Sequence, residues 1–291
     1  MSLQPSVRAF FDKDTWTMTY VVFDPASRDA LIIDPVWDYD PASSQLTTRS
    51  VDLVLDWIKS QGLKVHYVLE THAHADHVSG AQILRERLPA VKIAIGQNIR
   101  EVQKVFKKIY NLEPDFPVDG TQFDLLLTEA SDLSAGTLVV KTIFTPGHTP
   151  ACASYLIGDA LFVGDAIFMP DYGTGRCDFP LGSASDLYNS IHEKLFNFPD
   201  STRVFVGHDY QPGGRELAFE TTIGEQKTRN VQLRQSTSRE EFIQFRTSRD
   251  KALQAPRLLL PSIQINIDAG RLPKKEDNGT PYLKIPVWPR D

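Results

Sequence analysis

The chain has 291 residues, of which 41% are hydrophobic and 23% are charged, and its formal net charge is −6. This composition is ordinary for globular proteins, and the length suits one large domain or two small ones. The negative charge argues against a surface for nucleic acid or an anionic membrane, so we expect neither partner. Two cysteines are too few for a disulfide framework, and no apolar run reaches the roughly 18 residues of a membrane-spanning helix. With no recognisable targeting segment, we expect a cytoplasmic protein.

The first third of the sequence alternates strand-like and helix-like segments. Residues 19–23 and 30–33 are apolar runs on either side of a turn, which predicts a β-hairpin. Ser50 can cap a helix that Gly62 ends, and the apolar residues 65–69 predict a buried strand. The next predicted segments are helices at 81–88 and 98–110, with a strand at 91–95 between them.

The middle of the chain is rich in strand-like runs, and the last third is mostly helical. Ser238 and Glu241 form an S-x-x-E capping box for a helix that runs to about Arg249. Residues 256–291 are rich in Pro and Lys and predict a tail on the surface. Strands with helices interspersed predict two sheets packed on each other and covered by helices. The remaining predicted segments are strands at 123–127, 137–144, 153–157, 160–163 and 203–206 and a helix at 185–196.

The segment T-H-A-H-A-D-H at residues 71–77 places three imidazoles and a carboxylate within six positions, just after a predicted strand. Neutral imidazole is a common ligand of zinc, iron, copper and nickel. A lone His at a strand end is usually structural, but three further predicted strands also end next to a His or an Asp. If these ends share one edge, the chain is a metalloenzyme. The ligand-type residues are His72, His74, Asp76, His77, His148, Asp165 and His208.

The motifs T-H-x-H-x-D-H, P-G-H-T, G-D and G-H occur in this order over about residues 16–210, and they resemble the metallo-β-lactamase superfamily. The resemblance implies an α/β fold, the αβ/βα sandwich, with metal at one edge of two mixed sheets. We expect one such domain over residues 1–291, with a helical and extended C-terminal part from about residue 215. Within the superfamily, His72, His74 and His148 match the ligands of a first metal, Asp76, His77 and His208 those of a second, and Asp165 the bridging carboxylate.

The stretch after Asp165 helps to choose among the reactions of the superfamily. Residues 175–179 read G-R-C-D-F, and G-R-x-D-F resembles the persulfide dioxygenases. The wider M-P-D-Y-G-T-x-R-C-D-F over 169–179 resembles their bacterial subgroup, the β-lactamase-like hydrolases. The resemblance implies an enzyme that oxidises a low-molecular-weight persulfide, such as glutathione persulfide, with O₂ to sulfite and a thiol. Glyoxalase II enzymes carry the G-R without the D-F, so a thioester hydrolase with two zinc ions is the alternative.

The two activities differ in the metal that they need. Persulfide dioxygenases hold one Fe(II) through positions that match His72, His148 and Asp165, which leaves coordination positions open. The other four ligand-type residues would then orient these ligands and hold water, or they would bind a second metal. Because all seven residues are present, the sequence leaves both possibilities open. The remaining four residues are His74, Asp76, His77 and His208.

Three residues near these motifs are candidates for contact with the substrate. Arg176 can bind a glutathione carboxylate, or it can brace its loop through Asp178. The short carboxylate of Asp178 can pin the loop through backbone N–H groups. Tyr210 follows His208 by two positions and can reach a substrate, or it can simply pack. We expect Cys177 to be inert, and the family resemblance implies a homodimer.

Overall fold

The computed structural model describes residues 4–287 and 289. Its strands, in chain order, are β1 (Ser6–Asp12), β2 (Thr17–Phe23), β3 (Asp29–Ile33), β4 (Val36–Asp40), β5 (Gln45–Thr47), β6 (Lys64–Glu70), β7 (Val78–Ser79), β8 (Lys92–Gly96), β9 (Leu125–Leu127), β10 (Leu133–Ala135), β11 (Leu138–Phe144), β12 (Ala153–Ile157), β13 (Ala160–Phe162), β14 (Arg203–Phe205) and β15 (Glu220–Thr222). Its α-helices are α1 (Arg49–Gln61), α2 (Ala81–Arg87), α3 (Ile99–Ile109), α4 (Ala184–Asn189), α5 (Ile223–Arg229), α6 (Arg239–Asp250) and α7 (Leu259–Asn266).

The strands form two six-stranded sheets and one small sheet. The first sheet has the order β1-β2-β3-β6-β8-β9; β1 to β3 are antiparallel, and β3, β6, β8 and β9 run parallel. The second has the order β10-β11-β12-β13-β14-β15, with one parallel pair, β13 and β14. The small sheet has the order β5-β4-β7. Both large sheets are therefore mixed, as the sequence predicts.

The side chains of one strand alternate between two cores, because successive residues of a strand point to opposite faces. On β2, Met18 and Tyr20 pack between the two large sheets, whereas Val21 packs against the helices. Tyr20 lies edge-on to Phe162 and Phe205 of the second sheet, with ring centroids 5.3 and 5.6 Å away. α1, α2, α3 and α7 cover the outer face of the first sheet, and α4, α5 and α6 cover that of the second. This αβ/βα sandwich confirms the predicted fold class.

Several local predictions are confirmed, but the predicted cap of the first helix is wrong. The β2–β3 hairpin forms, and Gly62 ends α1 in a left-handed conformation with a φ of 61°. α1 begins at Arg49, one residue before the predicted cap. Ser50 instead donates its hydroxyl to Asp38 at 2.7 Å, because β4 brings that carboxylate beside the helix. Half of the predicted capping box of α6 is seen, since the Ser238 hydroxyl accepts the backbone N–H of Glu241.

The prediction that residues 256–291 form a surface tail is wrong for α7. Ile263 and Ile265 are fully buried, because the run L-L-P-S-I-Q-I-N-I packs against the first sheet and the small sheet. The predicted helix 185–196 consists of α4, a π-turn at Ser190–Lys194 and a 3₁₀ turn at Leu195–Asn197. None of the helices in the described residues is long and apolar enough to cross a membrane.

Candidate metal centre

Four strand ends meet at one edge of the sandwich and bring the ligand-type residues together. β6 leads into the loop 71–77, β11 leads to His148, β13 to Asp165 and β14 to His208. The ring centroids of His72 and His148 are 5.0 Å apart, although 76 residues separate them in the chain. The residues share one edge, as the sequence predicts.

The first group of ligand atoms comes from His72, His148 and Asp165. All three side chains are buried, and one ligand atom of each lies within 4.8 Å of the other two. His148 Nε2 is 3.5 Å from Asp165 Oδ2. Neither His72 Nε2 nor Asp165 Oδ1 has a hydrogen-bond partner among the described residues. Two imidazoles and one carboxylate form the donor set of non-haem Fe(II) oxygenases.

A chain of hydrogen bonds from Asp34 determines which ring nitrogen of His72 carries the proton. The Thr71 backbone N–H donates to Asp34 Oδ1 at 2.7 Å, and the Thr71 hydroxyl donates to Asp34 Oδ2 at 2.8 Å. Because the single hydroxyl proton goes to Asp34, the Thr71 oxygen accepts the Nδ1–H of His72, at 3.0 Å. With its proton on Nδ1, His72 keeps an unprotonated Nε2 that can bind a cation.

His148 is fixed in the same tautomer from the other side of the group. Its Nδ1–H donates to the backbone carbonyl of Arg176 at 2.6 Å, which leaves Nε2 free beside Asp165. The turn before His148 requires a glycine: Gly147 has a φ of 144°, and a Cβ there would lie 2.4 Å from the Leu187 Cα. Both imidazoles of the group are therefore presented through Nε2.

The second group of ligand atoms comes from His74, Asp76 and His208. His208 Nε2 lies 3.4 Å from Asp76 Oδ2 and 3.3 Å from Asp165 Oδ1. The two oxygens of Asp165 thus face different groups, Oδ2 towards the first and Oδ1 towards the second. Within the described residues, His77 belongs to no group, and its Nδ1 lies 3.2 Å from Asp76 Oδ2.

Thr17 on β2 lies among the residues of the second group. Its hydroxyl donates to Asp76 Oδ2 at 3.3 Å, and it lies 3.3 Å from Nδ1 of His77 and 3.5 Å from Nδ1 of His208. The carbonyl of Trp16 accepts from His208 Nδ1 at 3.3 Å. The β1–β2 turn therefore contributes to the centre as well as the four strand ends.

His74 also faces two buried acids, Asp34 and Glu70, which form a third group with it. Its Nε2 lies 3.0 Å from Asp34 Oδ1 and 3.5 Å from Glu70 Oε2. Glu70 Oε1 accepts the hydroxyl of Ser79. Burial raises the pKa of Glu70 to about 7, against the opposing effect of His74. His74 therefore lies between the second group and a pair of carboxyls beneath it.

Burial and neighbouring charge set the protonation of the centre. Burial lowers the pKa of His72, and His74 beside it acts in the same direction. Burial opposes the ionisation of Asp165, but His208 and His148 hold the pKa of that carboxyl below its usual range. Burial also disfavours the imidazolium of His208, yet the Asp165 carboxylate raises its pKa to about 9. A positive charge beside the Asp165 carboxylate is therefore stabilised, whether it is a protonated His208 or a metal ion.

The buried ring nitrogens test whether these residues fit a metal. Buried polar atoms in proteins normally have a hydrogen-bond partner. Here His72 Nε2, His74 Nδ1 and His77 Nε2 have none among the described residues, and His208 Nε2 faces the carboxylates of Asp76 and Asp165. Several unpartnered nitrogens around buried carboxylates make a donor set that a divalent cation would satisfy. The residues therefore fit a metal.

A cavity of about 250 Å³ opens beside the first group. Tyr172 and Tyr210 form one of its walls, with ring centroids 4.7 Å apart, and Tyr210 also stacks on His208 at 5.6 Å. Burial raises the pKa of Tyr210, and the Asp165 carboxylate adds to the effect, so the hydroxyl stays neutral. Tyr210 lines the cavity next to the metal centre, where a substrate can reach it.

Arg176 also lines this cavity, but its guanidinium is engaged by the protein. Its Nε and Nη2 donate to the Asp178 carboxylate at 2.5 and 2.6 Å, and its Nη1 donates to the carbonyl of Gln254 at 2.7 Å. This geometry favours the bracing interpretation of Arg176. Asp178 holds the loop chiefly through that ion pair, whereas the sequence led us to expect bonds to backbone N–H groups.

Three other arginines line the cavity, and two of them, Arg249 and Arg257, are available to an anion. Arg246 is buried and paired with Asp250 at 2.6 Å. Arg249 lies over the ring of Tyr172, 6.0 Å from its centroid, and Arg257 makes only a 3.5 Å contact with a backbone carbonyl. Neither Arg249 nor Arg257 forms an ion pair with an acidic side chain of the described residues. The cavity therefore presents unpaired positive charge on the side of α6 and the segment after it.

Comparison with known proteins places this centre in a family. The family model described as the metallo-beta-lactamase superfamily matches residues 17–208. The chain belongs to the metallo-β-lactamase superfamily. A protein of Dictyostelium discoideum named glyoxylase B2 is 47% identical over 288 residues, covering 99% of this chain and 98% of that protein. The mitochondrial persulfide dioxygenase ETHE1 of Homo sapiens is 32% identical over 241 residues, covering 82% of this chain and 79% of that protein.

A solved member of the superfamily has a similar structure. The crystal structure of ETHE1 from Myxococcus xanthus matches with a TM-score of 0.73 and 32% identity, covering 91% of this chain and all of that one (100%). The predicted membership of the superfamily and the resemblance to persulfide dioxygenases are therefore confirmed. The relative named glyoxylase B2 leaves the reaction itself open.

The geometry groups the superfamily motifs differently from the pattern that the resemblance implies. His74 falls with the second group and the two buried acids, although its ring centroid is 4.0 Å from that of His72, and within the described residues His77 lies outside both groups. Burial disfavours the imidazolium of His74, but the Asp34 and Glu70 carboxylates beside it raise its pKa well above the usual value. The first group therefore consists of two histidines and a carboxylate.

Sequence reasoning gave no functional role to Thr17 or Asp34. Both are buried polar residues in or just after apolar strands, in the runs T-M-T-Y-V-V-F and A-L-I-I-D. Asp34 has a φ of 49°, a conformation in which Asp and Asn are enriched among residues other than glycine. The signal in the sequence that could have identified them was a polar residue at the start of a buried strand or just after its end.

Proposed function

We propose that the protein is a persulfide dioxygenase with one Fe(II), held by His72, His148 and Asp165. The observation that carries the proposal is the first group itself: two imidazoles with free Nε2 atoms and one carboxylate, all buried beside a cavity. The relatives named persulfide dioxygenase support the same reaction. A low-molecular-weight persulfide, with glutathione persulfide as the candidate, is the proposed substrate.

The proposed reaction takes a persulfide, O₂ and water to the thiol, sulfite and two protons. The outer sulfur is oxidised and O₂ is reduced, so no other electron donor is needed. Fe(II), when bound to two imidazoles and one carboxylate, supplies open coordination positions at which an anionic sulfur and O₂ can meet. The protein supplies the orientation of the ligands, the shape of the cavity and the binding of the thiol carrier.

The protein's own groups hold both imidazoles of the proposed iron site in one orientation. Thr71 receives the Nδ1–H of His72, and the Arg176 carbonyl receives that of His148. Such partners fix the tautomer and the ring orientation of a metal-binding imidazole. Tyr210, neutral and at the wall of the cavity, can donate a hydrogen bond to the reacting sulfur. We assign it a role in contact with the substrate.

The carboxylates of a thiol carrier such as glutathione require cations, and we assign these to Arg249 and Arg257. Both line the cavity, and their guanidinium groups lack an acidic partner in the described part of the chain. Arg176 is unsuited to this role because Asp178 and the Gln254 carbonyl already occupy its donors. The distal ends of the substrate would thus lie towards α6, and its sulfur towards His148.

An oxygen electrode with glutathione persulfide tests the proposed reaction. Oxygen uptake matched by sulfite formation supports the dioxygenase. Hydrolysis of S-lactoylglutathione without oxygen uptake would replace it by the thioester hydrolase.

The hydrolase is a second candidate because one observation favours it. Asp165 faces both groups, 3.5 Å from His148 Nε2 and 3.3 Å from His208 Nε2, as a carboxylate bridging two metals would. Two metals generate a hydroxide nucleophile, which hydrolysis needs and oxygen transfer does not.

Metal counts on two variants separate these candidates. His148→Ala should lose the iron and the oxygen uptake together, whereas His208→Ala should keep most of the iron and part of the activity. Two metals per chain in the parent, with one lost in His208→Ala, would favour the hydrolase. The single domain, the homodimer and the cytoplasmic location stay predictions from the sequence.

A further inference from the structure

The loop 71–77 carries four of the ligand-type residues, yet it contains neither helix nor strand. Its buried backbone groups therefore need partners from other parts of the molecule. At its start, Asp34 accepts the backbone N–H of Thr71. At its end, the partner comes from α7, more than 180 residues further along the chain.

Asn266, the last residue of α7, uses its whole side-chain amide to bind the backbone of residues 74–79. Its Nδ2 donates to the carbonyls of His74 and His77, each at 2.8 Å, and its Oδ1 accepts the backbone N–H of Ser79 at 2.8 Å. The side chain is 4% exposed, so water cannot replace these bonds readily. Two donors and one acceptor thus meet three backbone groups within residues 74–79.

We propose that Asn266 is a positioning residue for the metal centre. One amide group that binds the carbonyls of His74 and His77 fixes the distance between them, and so fixes the curve of the loop around Asp76. With Asp34 at the start of the loop, both of its ends are set by buried side chains. The proposal rests on the proposed metal centre, but not on the identity or number of the metals. Asn266 also lies beyond residues 17–208, the span that the superfamily model matches.

The same helix offers a matched control, Gln264. Its Nε2 donates to the carbonyls of Leu260 and Lys284 at 2.8 Å each, and its Oε1 accepts the backbone N–H of Lys284 at 2.9 Å. It is 5% exposed, close to the value for Asn266. It therefore repeats the pattern of two carbonyls and one N–H, but it holds the C-terminal segment and not the loop.

The experiment compares Asn266→Asp with Gln264→Glu. Each change keeps the size of the side chain and turns its amide donors into a carboxylate that faces two carbonyl oxygens. Purified proteins are exposed to EDTA for timed intervals, and the metals that remain are counted by elemental analysis. The melting temperatures of the metal-free forms are measured in parallel.

We expect Asn266→Asp to lose metal about 10- to 100-fold faster than the parent, the range typical of residues that orient metal ligands. Gln264→Glu should lose metal at the parent rate, even where its metal-free melting temperature falls as far. Equal rates of metal loss in both variants would overturn the proposal. A parent that holds zinc instead of iron would contradict the proposed dioxygenase and leave this comparison valid.

Asn266→Ala is the second variant, since it removes the donors without adding a negative charge. It should also lose metal faster than its counterpart Gln264→Ala. If neither Asn266 variant folds in the presence of metal while both Gln264 variants do, Asn266 acts on the whole fold, and the positioning role is refuted.

Discussion

Replacing Thr71 by Val tests the hydrogen-bond chain that sets the tautomer of His72. Val has nearly the same shape as Thr, so the substitution leaves no cavity and removes only the hydroxyl. Asp34 Oδ2 then loses its 2.8 Å partner, and the Nδ1–H of His72 loses its 3.0 Å acceptor. A hydrogen bond to a charged group contributes about 1.5–3 kcal/mol, and a buried donor without a partner costs about 1–3 kcal/mol. Together these effects predict that the metal-free protein loses about 2.5–6 kcal/mol of unfolding free energy, towards the lower end because Asp34 keeps the Thr71 N–H.

The same substitution should weaken metal binding, because His72 is then free to carry its proton on Nε2. We expect a loss of about 10- to 100-fold in metal affinity. Urea unfolding of the metal-free protein measures the first effect, and competition with a chelator of known affinity measures the second.

Thr142 provides the matched control for Thr71. It is a buried threonine on β11 whose hydroxyl has no hydrogen-bond partner in the described part of the chain. Thr142→Val should therefore leave the unfolding free energy and the metal affinity unchanged or slightly improved. If Thr71→Val behaves like Thr142→Val in both assays, the chain from Asp34 does not orient His72, and the reasoning is wrong.

Three further outcomes are expected. Asp178→Ala should lower oxygen uptake while the metal stays bound, since it frees the brace at Arg176 and not a ligand; metal loss equal to the activity loss would make Asp178 part of the metal shell. Arg249→Leu should raise the KM for glutathione persulfide about 10- to 100-fold, the equivalent of one charge-assisted hydrogen bond, at unchanged metal content; an unchanged KM would remove Arg249 from the substrate site. Burial raises the pKa of Cys152 to about 12 and that of Cys177 still further, so neither thiol should react with a disulfide reagent at pH 8 until the protein is unfolded; a fast-reacting thiol in the folded protein would contradict this.

Features encoded in short stretches of sequence were predictable. Apolar runs on either side of a turn predicted the β2–β3 hairpin, and Ser238 followed by Glu241 predicted the start of α6, because both features depend on residues close together in the chain. The metal motif belongs to the same class, since four of its ligand-type residues fall within the loop 71–77. Once the strands joined two packed sheets, the ligand-type residues that follow them came to lie at one edge.

Features that depend on distant segments were not predictable from local patterns. The prediction of a cap at Ser50 was wrong because β4 brings the Asp38 carboxylate to that hydroxyl. The prediction of a surface tail was wrong because α7 packs against the first sheet and the small sheet. Asp38 lies 12 residues before Ser50 on a separate strand, and the residues that cover α7 belong to the first sheet and the small sheet.

The metal centre shows the same difference between features that depend on single residues and features that depend on distant segments. Which side chains can bind a metal was readable from the sequence, since ligand chemistry is a property of the residue. The contact of His74 with Asp34, and that of Asn266 with a loop 192 residues away in the chain, arise only when the chain is folded. Buried hydrogen bonds and ion pairs act over about 3 Å in space and are indifferent to separation in sequence. The sheets, by bringing strand ends to one edge, convert a list of possible ligands into one arrangement of them.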